Sequence, residues 1–168
     1  MSSVTLLDAP LAVQFHVATV VPAAVLGAWL LARPKGTPVH RMLGKIWMGL
    51  MFVTAVSTFF IHEIRLVGDF SPIHLISIYV IVSCFTAIRA ARRHDITAHR
   101  RTVAGMYLGG IVIAGAFTFL PGRIMSTSLM ALANGAGSIV LVALLAFGFI
   151  GAGMLAIREM GFRRKRAV

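Results

Sequence analysis

Of 168 residues, 58% are hydrophobic and 12% are charged, and the mean hydropathy is +0.90. Sixteen Lys and Arg against five Asp and Glu give a net charge of +11. A soluble domain carries about 25% charged residues, so the composition excludes a soluble nucleic-acid binder and a disordered chain, and the single cysteine, Cys84, excludes a disulfide scaffold.

The uncharged stretches set the elements. Asp8 to Arg33 encloses 24 residues without formal charge, Lys45 to His62 encloses 16, and Asp69 to Arg89 encloses 19. Arg101 to Arg123 encloses 21, and Arg123 to Arg158 encloses 34. A spanning helix needs about 20 apolar residues. The expected fold is therefore an all-α integral membrane protein with transmembrane helices near 10–32, 42–64, 72–91, 101–121 and 131–157. Run length and the lack of strict alternation favour helices over a barrel. The first apolar run is preceded by Asp8 and followed by Arg33, the reverse of a signal peptide, so it is expected to remain as a span.

The cations sort by side. The segments 33–45, 89–101 and 158–166 hold fourteen of the sixteen, leaving Arg65 and Arg123 for the opposite side. The positive-inside rule makes the fourteen-cation side cytoplasmic. That gives an outer N-terminus, an inner C-terminus with a basic tail at 158–168, and residence in a bacterial-type inner membrane.

Comparing the chain with itself suggests an internal repeat. His16 recurs as His74 at an offset of 58, and His40-Arg41 recurs as His99-Arg100 at an offset of 59. Arg33 matches Arg92, Arg65 matches Arg123, and Trp47 matches Met106 with Tyr107 beside it. The expected organisation is one membrane domain, 1–168, with repeat 1 at 10–65, repeat 2 at 72–123 and a fifth helix at 131–157. An up-down-up-down bundle puts helices one and three on one diagonal and two and four on the other. His16 would then face His74 near the outer surface, and His40 would face His99 near the inner one.

Intramembrane histidines are costly and tend to be functional. Two neutral imidazoles facing across a bundle can ligate one haem iron from above and below. Small residues on the ligand faces, Thr19, Ala23 and Gly27 after His16 and Gly44 after His40, would make room for the macrocycle. Arg41, Arg100 and Arg123 are candidate partners for haem propionates. In its order of histidines, His16, His40, His74 and His99, the chain resembles the two-haem transmembrane cytochromes b of the cytochrome b561-like kind. It is also similar to uncharacterised bacterial multi-pass membrane proteins with a repeated His-Arg motif. The first resemblance implies one or two haem b groups and transmembrane electron transfer, with a quinone or a redox partner protein at either surface. Histidines 22–24 residues apart along a span would stand over ~30 Å apart at the ~1.5 Å helical rise.

Two other function classes stand beside this one. His16, His62 and His74, with Glu63 nearby, can build an outward zinc or copper site or a small-molecule pocket. A cofactor-free membrane subunit would use its histidines only as helix caps. Cys84 reads as inert packing. The Gly105/Gly109 pair and the glycines of 148–153 read as close helix contacts, with a homo-oligomer as the other use of such faces. His94, beside Asp95, reads as a solvated loop residue.

Overall fold

The computed structural model describes residues 6–61 and 72–118, together with positions 151, 153, 154 and 158. A short 3-10 turn at Leu6–Asp8 leads into α1 (Leu11–Ala32). α2 (Pro38–Ser57) runs on through a 3-10 turn at Thr58–Phe60, and α3 covers Pro72–Arg92. α4 (Ile96–Thr118) is α-helical at both ends and π-helical over Leu108–Ile113. All four are long and apolar enough to cross a membrane, so the chain is an all-α, multi-pass membrane protein with a four-helix core. The expected fifth helix at 131–157 and the basic tail lie outside the described residues, except that Gly153 stands within 3.5 Å of Val112 in α4 (measured from where its Cβ would be).

Two starts differ from the sequence expectation. α2 begins at Pro38 rather than near 42, because the Thr37 hydroxyl accepts a bond from the His40 backbone N–H at 3.1 Å. Pro38 follows at the first helical position, where its missing N–H costs nothing. α4 begins at Ile96 rather than 101, because the Asp95 carboxylate accepts from the Ala98 N–H at 3.0 Å. Cap chemistry overrides the charge-based boundary in both places. His40-Arg41 and His99-Arg100, expected in the turns before their helices, therefore lie inside the first helical turns.

Short connections, 33–37 and 93–95, force antiparallel neighbours. α1 packs along α2, α2 against α3, α3 along α4, and α4 closes on α1. The helices thus form a ring with α1/α3 and α2/α4 on the diagonals. Among the described residues, tight turns carry two left-handed positions, Gly36 at φ +85° and the exposed His94 at φ +58°.

The polarity is that of a bundle in lipid. Leu11, Val25, Phe60, Leu75 and Phe85 face outward, whereas Thr54, Ser57, Thr58, His74, Ser77 and Ser83 are buried. Their partners lie inside the bundle, on carbonyls of the same helix for Thr58 and Ser77 and across α1 and α2 for Thr54 and Ser57, because hydrocarbon offers none.

Close approach is concentrated at a few glycines. A Cβ on Gly27 would stand 2.6 Å from Trp47 Nε1 and from Tyr107 Cε2. On Gly105 it would meet the Tyr79 hydroxyl at 2.8 Å, and on Gly110 the Val80 Cγ2 at 2.7 Å. The last two draw α3 onto α4, as the Gly105/Gly109 spacing predicts. Cys84 is buried, with Sγ 3.6 Å from Met106 Sδ, and is packing.

Candidate functional site: two histidine levels separated by an aromatic pair

α1 and α2 build the level far from the basic loops. Ser57 Oγ donates to the Thr54 carbonyl at 2.8 Å, which spends its only hydrogen. Its contact with His16 Nδ1 at 2.9 Å therefore has the imidazole as donor. His16 is thus the Nδ1–H tautomer, with Nε2 a lone-pair acceptor. A second chain runs beside it: Thr54 donates to Thr19 Oγ1 at 2.9 Å, and Thr19 donates to the His16 carbonyl at 2.9 Å. His74 in α3 is buried, and its ring centroid lies 5.4 Å from that of Phe59. A cavity of about 150 Å3 sits at this level and is lined by His16 but, among the described residues, not by His74.

The basic-end level is built by α2 and α4. His99 donates Nδ1–H to the Ala87 carbonyl at 3.0 Å, which fixes its tautomer and leaves Nε2 as the lone pair. His99 and Lys35 are the titratable neighbours that reach His40 electrostatically. Among the described residues, His40 Nδ1 is the one buried side-chain nitrogen or oxygen with no hydrogen-bond partner. Beside it on the same face, Gly44 has no heavy atom within 4 Å of where its Cβ would stand. Arg41 is exposed and Arg100 half-buried, each directly after its histidine.

Between the levels stand Trp47 and Tyr107, stacked with centroids 6.4 Å apart and an interplanar angle of 29°. Trp47 Nε1 donates to the Ala23 carbonyl at 2.8 Å and Tyr107 Oη to the Ala24 carbonyl at 3.0 Å. The space opened by Gly27, read from sequence as room for a macrocycle, is filled by these two rings. Neither ring was singled out as functional by sequence; the signal was Gly27 itself, four residues after Ala23 on one face. His16 is tied to Ser57, seventeen residues after His40, so the levels are about 26 Å apart along α2. That is shorter than the ~30 Å expected from helix length.

The two levels differ as cofactor sites. The cavity beside His16, about 150 Å3 as bounded by the described residues, is smaller than the ~300–1,000 Å3 of ordinary small-molecule sites. The donor set at the basic end does suit a haem iron: two imidazoles from diagonal helices, one with an orphaned nitrogen and one with a fixed lone pair. Four residues after His40 on α2, Gly44 has open space where its Cβ would stand. For a discrete metal ion, no three His, Cys, Asp or Glu come together among the described residues. His62, Glu63, Arg65 and Arg123 lie outside them.

A family model described as "Predicted membrane protein (DUF2306)" matches residues 13–120. The chain belongs to this family. No curated protein and no solved structure matches the chain. The DUF2306 match covers the four helices, apart from the first two residues of α1, and includes His16, His40, His74 and His99.

Proposed function

We propose that the chain is a membrane-embedded electron-transfer protein that holds one b-type haem between His40 and His99. The observation that carries this reading is the buried, unpartnered Nδ1 of His40 on the helix diagonal to that of His99. A buried imidazole nitrogen without a partner is costly unless a ligand satisfies it. His99, held by Ala87, keeps Nε2 as a lone pair and would supply the second ligand. When bound, haem would supply a reversible one-electron iron couple.

The chain's own residues do the rest. Ala87 orients His99 through its carbonyl, Gly44 leaves the flank of α2 open, and Arg41 and Arg100 offer guanidinium groups for propionates at the headgroup level. Trp47 and Tyr107, stacked in the bundle core, would separate a haem at this level from the far end. The positive-inside rule makes the basic end cytoplasmic, so electrons would enter or leave there, with a quinone or a soluble partner. The repeated hairpins give this level its two matching His-Arg pairs, and the fifth span completes the topology.

Oxidised and reduced visible spectra of protein purified from haem-replete cells test the proposal. A b-type spectrum is expected, lost in His40→Ala and in His99→Ala and retained in His16→Ala. A colourless wild-type preparation would sink it.

A further inference from the structure

The far-end cavity is left unused by that reading, and its polar lining has a single character. The hydroxyl hydrogens of Thr58, Ser77 and Thr118 are given to the carbonyls of Thr54, Ile73 and Ala114, at 3.1, 3.1 and 2.9 Å. Thr54 donates to Thr19, and the His16 Nδ1–H is given to Ser57. Every polar side chain lining the cavity among the described residues thus has a protein acceptor for its hydrogen. What remains for an occupant is His16 Nε2, a lone pair with no hydrogen-bond partner among the described residues.

Size and wall narrow the occupant. An apolar cavity of about 150 Å3 accommodates a single benzene ring, and this one has about 150 Å3 with Val17, Val20, Ile76 and Val80 in its wall. The π-helical turn of α4 forms part of the same wall through Gly110 and Ile111. Such turns recur at functional sites, where they re-aim the residues that follow. Here Ala114 and Gly115 follow, one with a methyl and the other with no side chain, and they leave the space open.

We propose that this cavity binds a single-ring compound bearing a hydroxyl, a phenol or hydroquinone head, with its O–H donated to His16 Nε2. The His16 Nε2 lone pair can only accept, so the contact it offers is to the reduced, O–H-bearing form. The site lies at the opposite end of the bundle from His40 and His99 and does not depend on haem there.

The probes are 4-fluorophenol and 4-fluorotoluene, which match in size and differ in the O–H, read by fluorine NMR on the full chain in nanodiscs against empty discs. Saturable binding of 4-fluorophenol is expected, about tenfold tighter than that of 4-fluorotoluene. His16→Phe should remove that discrimination. Ala114→Phe should remove binding of both probes, and Gly115→Leu, which fills the same space from the next residue, should do the same. Helical circular dichroism confirms that each variant is folded. Lack of saturable binding to wild type, equal affinity for the two probes, or binding unchanged in both filled variants would each overturn the proposal.

Discussion

Gly27→Ala tests the aromatic partition directly. The new methyl would stand 2.6 Å from Trp47 Nε1 and Tyr107 Cε2, whereas carbon contacts are optimal near 3.5–4.0 Å. The rings must retreat by about 1 Å to reach that contact distance. Both are tethered, Trp47 to Ala23 at 2.8 Å and Tyr107 to Ala24 at 3.0 Å. A retreat of that size takes the bonds beyond the ~3.2 Å at which they are effective. Overpacking costs about 1–3 kcal/mol, and each interhelical bond in a membrane adds about 0.6 kcal/mol. Replacing Gly by Ala returns about 1 kcal/mol of helix propensity. The net expectation is a loss of about 2 kcal/mol. Gly49→Ala is the control, since nothing lies within 4 Å of its would-be Cβ. It should gain up to about 1 kcal/mol. Reversible unfolding in mixed micelles, followed by tryptophan fluorescence, gives both values. A Gly27→Ala protein as stable as Gly49→Ala would refute the packing of the two rings on Gly27.

Three further outcomes follow from named contacts. Ser57→Ala removes the acceptor that fixes the His16 tautomer and should cost about 1 kcal/mol in the same unfolding assay; no loss would show that Thr58, at 3.5 Å, substitutes fully. Asp95→Ala should cost about 1 kcal/mol by uncapping α4, while Asp95→Asn retains most of the stability because its amide oxygen can still accept from Ala98. Gly105→Ala should be nearly neutral despite its 2.8 Å contact, because it meets the tip of a half-exposed Tyr79 that can swing into lipid; a loss as large as that of Gly27→Ala would contradict this.

Uncharged runs in the sequence made the four described spans legible, because length and hydropathy alone decide whether a helix can cross lipid. The ring order of the helices was legible too, since short loops leave an antiparallel bundle few other arrangements. Helix starts were less so, because Thr37 and Asp95 act through local hydroxyl and carboxylate geometry that a charge count ignores. The Ala23 and Gly27 stripe announced a close approach but not its occupant, which comes from α2 and α4, residues 20 and 80 positions away along the chain. Sequence likewise marked His16 and His40 as a pair of levels without distinguishing them. Only the packing decided that His16 spends Nδ1 on Ser57 beside a small cavity while His40 keeps a buried nitrogen unpaired. A hydrogen bond is fixed by where its partner stands, and that position is a property of the assembled bundle.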